Sequence, residues 1–316
     1  MENNRLGTEK VSKLLLSLAA PAICAQIVTL LYNLVDRIYI GWMADGMLAM
    51  AAVISQFASF VWVMAFLFGK KTQLKIRPGN LRPRLPVLRQ IVVLGSAPFF
   101  MSLSEGLLHI CFNNQARRFG GDVAVSAMTI LFSLFQFILL PVEGVSQGSQ
   151  PIISYNYGAR LYHRVRQTVR IAVVCNLTFT AVATAFILIF PGAFIRIFNS
   201  DPELLAAGVP MLRVYAAGLF VHGANSTFQQ TYNSLGEGKK AFFFAFFRKI
   251  ILLIPLLYLL PEILPWGVLA VMLAEPISDL LTTVTNALYF RRFLRQKLPA
   301  ETELENPNGG ILYDRT

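Results

Sequence analysis

Charge is what this sequence has least of: 14% of its 316 residues are Asp, Glu, Lys or Arg, against 55% that are hydrophobic. A soluble domain carries roughly a quarter charged residues to cover its surface, so a water-soluble globular fold is excluded. Cysteine is scarce as well. Cys24, Cys111 and Cys175 are odd in number, lie in apolar runs and show no CxxC spacing, which implies neither a disulfide framework nor a metal site. The three histidines, His109, His163 and His222, have no metal-ligand spacing. HExxH, GxSxG and GxxxxGK[ST] are all missing, so no enzyme chemistry, no cofactor and no ATP-driven step is expected. Acidic residues number 17 against 28 basic ones, a net charge of +11. The basic residues cluster between apolar runs, the pattern of loops beside anionic lipid and not of a nucleic-acid face. No small-residue cleavage site follows the first long run, which is expected to remain in the mature protein.

Spanning about 30 Å of hydrocarbon takes about 20 apolar residues in a helix. Eight runs qualify: 14–42, 47–68, 87–112, 123–145, 169–190, 206–232, 241–260 and 267–290. None alternates with period two, so helices are expected and not a closed β-barrel. Basic residues mark every second loop. Lys70, Lys71, Lys75, Arg77, Arg82, Arg84 and Arg89 lie between runs two and three; Arg160, Arg164 and Arg166 follow run four. Lys239, Lys240, Arg248 and Lys249 follow run six, and Arg291, Arg292, Arg295 and Lys297 follow run eight. That asymmetry predicts both termini in the cytoplasm. The Lys-, Arg- and Pro-rich segment near 70–86 reads as a linker, and 296–316 as a disordered polar tail.

An acid in a membrane span is costly, about 2.5–3.5 kcal/mol on insertion scales, and so is a functional candidate. Asp36, in "LYNLVDRIYIG", shares a helix face with Tyr32 and Asn33. It reads either as an ion-coupling acid or as the marker of a helix end close to Trp42. Glu105 lies deeper and shares a face with His109 and Asn113, as a relay or cation site or as a packing pair. Glu275, Asp279, Thr282 and Asn286 form a polar stripe on the last run; His222, Asn225, Gln229 and Asn233 form another on the sixth. Together with Gln136 and Gln147, these side chains are expected to line an aqueous or ligand-holding interior. Ala20-Pro21, Leu30-Leu31 and Asp36 are echoed by Ala97-Pro98, Leu107-Leu108 and Asn113, a displacement that suggests two related halves.

The stretch "LLPVEGVSQGSQPIISYNYGAR", residues 139–160, has a proline to bend the helix, Gly144 and Gly148 for close packing, and tyrosines suited to an interface. It resembles the multidrug and toxic compound extrusion (MATE) family, as do "LAAPAICAQIVTLLYNLVDRIYIG", "RFGGDVAVSAM", "NSDPELLAAGVPMLRVYAAG" and "AEPISDLL". The resemblance implies twelve helices in two six-helix lobes around a cavity, with export of a drug or toxic organic compound in exchange for protons or sodium ions. It implicates Asp36 in ion coupling and matches Glu105 to an acid of the seventh helix. Here "GMLAMAAVISQF" runs from the end of the first helix into what resembles the sixth, so helices two to five are missing from the pattern. The expected architecture is therefore an all-α integral membrane protein of about eight transmembrane helices. Residues 1–69 form a two-helix remnant of the first lobe, 70–86 a basic linker, 87–295 a complete six-helix lobe and 296–316 a tail. A plasma-membrane exporter of cationic or amphipathic small molecules, embedded in lipid, is the expected function. The alternatives are an inactive shortened lobe that self-associates as an interaction module, or a lipid-linked oligosaccharide flippase of the same superfamily.

Overall fold

The computed structural model describes residues 5–42, 54, 57–65 and 85–298, with the side chains of 29–42 and of most of 85–100 outside that description. Every regular element among the described residues is helical. In hydrocarbon no water is present to satisfy backbone polar groups, and a helix satisfies its own. In chain order the elements are α1 (Arg5–Thr8), α2 (Val11–Trp42), α3 (Leu85–Gly158), α4 (Tyr162–Ile189), α5 (Pro191–Arg196), α6 (Pro202–Ala216) and α7 (Leu219–Ser234). They continue with α8 (Gly238–Phe246), a π-helix (Phe247–Leu253), α9 (Ile254–Ile263) and α10 (Val268–Lys297). The expected run at 47–68 is described at residues 54 and 57–65, where it is helical. Two compact units result: Met1–Gln26 with Met101–Thr316, and Ile27–Phe100.

Five of the described helices are long and apolar enough to cross a membrane, or six when α6 and α7 are counted as one bent span. Within α3 the chain doubles back. Residues twenty apart in a straight helix lie about 30 Å from one another; yet the Phe112 and Phe132 rings meet at 5.6 Å, and His109 meets Phe132 edge-on at 4.7 Å. The reversal is at Gly121, whose φ of 68° and ψ of −166° suit glycine alone. Arg117 pairs with Asp122 at 2.9 Å and Arg118 with Glu262 at 2.8 Å beside this turn. The expected runs 87–112 and 123–145 are the two arms. Both helical arms extend past the apolar runs, because a helix continues into the polar interface after its hydrocarbon-matched stretch ends.

Three helices are irregular, and each irregularity has a cause. The run expected to be continuous over 206–232 bends by 47° between α6 and α7. Gly218 occupies the bend, where a Cβ would come within 2.7 Å of the Pro276 Cα of α10. Ahead of Pro255, the chain widens into the π-helix Phe247–Leu253. A proline cannot donate its backbone hydrogen bond and crowds the carbonyl four residues before it, and a π-bulge relieves both conflicts. Pro276 lies inside α10 one residue after Glu275 and removes one backbone donor there.

The first part of α2 packs on the second arm of α3. Ala19 is buried there, and Leu14 and Leu15 cluster with Ile152 of α3 and Ala172 of α4. Gly144 and Gly148, four residues apart, create the room: a Cβ on Gly148 would lie 2.6 Å from the Ala19 nitrogen, and one on Gly144 2.2 Å from an Ile23 carbon. This is the small-residue contact by which helices approach closely in membranes. Arg164 then fastens the chain end, donating to the carbonyls of Glu9 at 2.6 Å and Leu6 at 3.2 Å. Replacing Gly148 by valine should force α2 away from α3 and cost about 1–3 kcal/mol, seen as a lowered thermal midpoint in detergent. An unchanged midpoint would contradict the contact.

Candidate functional site

The three irregularities meet around a group of charged side chains. Arg248, in the π-helix, places its guanidinium between Asp279 and Glu275 of α10; it hydrogen-bonds Asp279, and its Nη1 lies 3.5 Å from Glu275 Oε1. All three are nearly enclosed, with side-chain exposures of 11%, 6% and 13% for Arg248, Asp279 and Glu275. From α7, just past the bend, His222 approaches with Nδ1 3.4 Å from Arg248 Nη1 and 3.7 Å from Asp279 Oδ2. An N–H donor from Arg248 can be accepted at Nδ1 only when that nitrogen carries no proton.

Hydroxyls donate to backbone carbonyls near the irregular turns. Ser278 donates to the Arg248 carbonyl at 2.9 Å, and Thr180 to that of Phe220 at 2.9 Å. Irregular backbone at membrane depth is tolerated where protein or a water-filled cavity surrounds it, and it is where transporters hold ions and substrates.

The group continues toward more exposed positions. Lys249, 13% exposed, pairs with Glu105 of the first arm of α3, which is 62% exposed. Glu143, on the second arm, lies within electrostatic reach of His222, Glu105 and Lys249. The cluster thus comprises four carboxylates, Glu105, Glu143, Glu275 and Asp279, and two fixed cations, Arg248 and Lys249.

A second polar layer lies along the same helices. Asn286 donates to Asn225 at 2.8 Å and accepts from the Tyr232 hydroxyl at 2.9 Å. Asn176 donates to Ser146 at 3.1 Å and to Thr227 at 2.9 Å.

Of the residues singled out in the sequence, Glu275 and Asp279 stand at the centre of the cluster and His222 at its side. Glu105 belongs to it with a partner different from the one expected: His109 packs against Phe132, and Lys249 takes its place. Asn225 serves the polar layer, while Asn113, Gln136 and Gln147 are exposed and Gln229 is half-buried. Asp36, Tyr32 and Asn33 lie on helical backbone of α2, with side chains outside the described residues.

The sequence reading misses Arg248, Lys249 and Glu143. It groups Arg248 and Lys249 with a basic loop; in the structure only Lys239 and Lys240 lie near that loop, where Lys240 pairs with Glu237 at 3.2 Å. The signal available was position, since Arg248 and Lys249 fall inside the expected run 241–260.

Removing one partner of a buried ion pair strands the other, at about 3–5 kcal/mol. Arg248→Met, which strands both Asp279 and Glu275, should therefore lower thermal stability in detergent more than Asp279→Leu, which leaves Glu275 as a partner. The double variant should recover part of the loss of Arg248→Met. Strictly additive losses would contradict the pairing.

The comparisons with known proteins agree with this architecture. The MatE family model matches residues 98–259. The multidrug export protein MepA of Staphylococcus haemolyticus is 22% identical over 255 residues, covering 80% of this chain and 55% of that protein. MepA of Staphylococcus aureus (strain NCTC 8325 / PS 47) is 22% identical over 254 residues, with the same two coverages of 80% and 55%. The chain thus spans about half the length of these curated relatives. Among solved structures, a MATE protein in complex with MaL6 superposes with a TM-score of 0.70 at 17% identity, over 90% of this chain and 62% of that one. A MOP superfamily transporter from Pyrococcus furiosus gives 0.70 at 18% identity, over 91% and 63%. These structures share the fold, and the family match covers more than half of the residues: this chain belongs to the MatE family.

Proposed function

We propose that this chain serves cation-coupled export of drugs or toxic organic compounds, a cationic or amphipathic small molecule leaving as protons or sodium ions enter. The observation that carries the reading is the charge imbalance of the cluster within its membrane-spanning helices. Arg248 and Lys249 balance two of the four carboxylates. The other two need a proton or a cation from solution or substrate, since an unanswered charge at that depth is expensive. A group of carboxylates that must hold either a proton or another cation can exchange one for the other.

In this reading residues 87–295 act as a six-helix lobe, Asp36 and Glu105 are the coupling acids, and Asn113, Gln136, Gln147 and Gln229 face the substrate path. The basic loops lie on the cytoplasmic side of a plasma membrane, with both termini there. The relatives named as multidrug exporters support the class of substrate. Protonation shifts the balance between two access states by as much as its affinities for them differ.

A second reading follows from length. Because the chain spans about half of its curated relatives, it is alternatively a lobe that works only when another chain supplies the rest of the cavity wall, and in-membrane cross-linking would then trap a dimer or a complex.

Vesicles holding the purified chain should accumulate a fluorescent organic cation such as ethidium when a proton or sodium gradient is imposed. Asp36→Asn should abolish that flux, and Glu105→Gln should reduce it by about tenfold or more. No gradient-dependent flux from correctly folded protein would reject the reading.

A further inference from the structure

The two mid-span cations are neighbours in sequence but differ in their surroundings. Arg248 is enclosed by Asp279, Glu275 and His222 and is held from three sides. Lys249 reaches outward to Glu105, its stem packed and its partner open. The ammonium therefore meets the Glu105 carboxylate from the protein side, leaving the other side free for an ion from solution. The Glu105 carboxylate is paired with Lys249 on the π-helix and lies within electrostatic reach of Glu143 on the other arm of α3, which is itself within reach of Lys249 and of His222 on α7. Behind them stand Arg248 and, on α10, Glu275 and Asp279. His109, one turn along from Glu105, is turned onto Phe132.

We propose that Lys249 is a specificity-determining residue for the cation exchange argued above: its ammonium is the resident counter-ion of Glu105, which keeps sodium off that carboxylate and leaves the proton as the ion exchanged there. The proposal rests on that cation-coupled reading.

A sodium ion bound to the carboxylate would stand about 4 Å from the ammonium. For a carboxylate this open to solvent, the repulsion falls between its value in water and that at a dielectric constant of about 20, and weakens sodium binding by about tenfold or more. A proton meets the same repulsion, but a carboxylate binds it with an affinity of about 10⁴ M⁻¹ before any neighbour acts, so that it is still taken up as the pH falls. It bonds to a carboxylate oxygen, the ion pair opens, and Lys249 keeps its own proton and turns to Glu143. The Glu105–Lys249 pair passes from neutral to singly positive. An organic cation sharing the space is then repelled, so that proton entry and cation departure are linked. Removing the ammonium leaves Glu105 and Glu143 within electrostatic reach of each other with no lysine to answer them, which favours a cation from solution.

The test is direct binding of radioactive sodium to the purified full chain in detergent. Lys249→Met should bind sodium about tenfold or more tighter than the unaltered chain. Lys249→Arg should behave like the unaltered chain, and Lys249→Met combined with Glu105→Gln should lose the gain. Equal sodium affinity of the unaltered chain and a folded Lys249→Met variant would overturn the proposal. If Lys249→Met does not fold, infrared difference spectra of the unaltered chain decide. A carboxyl band absent from Glu105→Gln should grow on acidification and stay unchanged when potassium is replaced by sodium, and a sodium-dependent change in that band would overturn the proposal. Failure of vesicle flux would reject the transport reading and leave these binding outcomes standing on their own.

Discussion

A guanidinium set among membrane-spanning helices has to find negative partners inside the bundle, and Arg248 finds Asp279 and Glu275. The irregular helix geometry around it is arranged to make that pairing. The π-helix ahead of Pro255 carries Arg248 toward α10, Gly218 lets the bent α6–α7 span come against Pro276, and the bend delivers His222 to the same place. Ser278, one residue before Asp279, then satisfies the Arg248 carbonyl itself. Buried ion pairs contribute little net stability, because desolvation offsets most of the attraction. The cluster is costly to assemble and still carries more acids than bases, which is the imbalance the proposed cation exchange draws on.

Much of the architecture is legible in composition because lipid allows so few solutions. A chain with this little charge and long apolar runs has to be helical, and the runs place both arms of α3, α4 and α10 correctly. The stripe at Glu275 and Asp279 is equally legible, since two acids one turn apart on an apolar helix must point inward. Arg248 and Lys249 are not. By composition they extend the basic group begun by Lys239 and Lys240; their position inside the apolar run 241–260 hints at depth, and the acids of α10 and α3 that receive them establish it. The bend at Gly218 is hidden for a similar reason. Its cause is the close approach of Pro276, a residue of a different helix, and no local breaker stronger than a single glycine marks it.

The N-terminal segment shows the reverse case, in which a local motif forecasts a tertiary contact. Gly144 and Gly148 are spaced as small residues are where membrane helices approach closely, and Ala19 and Ile23 fill the space they leave. Arg164 adds the polar fastening at the end of that contact. Residues 5–26 thereby belong to the same compact unit as the helices that carry the charged cluster.

The central claim is that the cluster keeps its charge balanced by trading one positive ion for another. Proton release measured in weakly buffered detergent solution tests this most directly. As tetraphenylphosphonium binds to the purified chain near neutral pH, about one proton should appear for each cation taken up, as the reciprocal linkage of two competing ions requires. Saturable binding of the cation with no proton released would contradict the account.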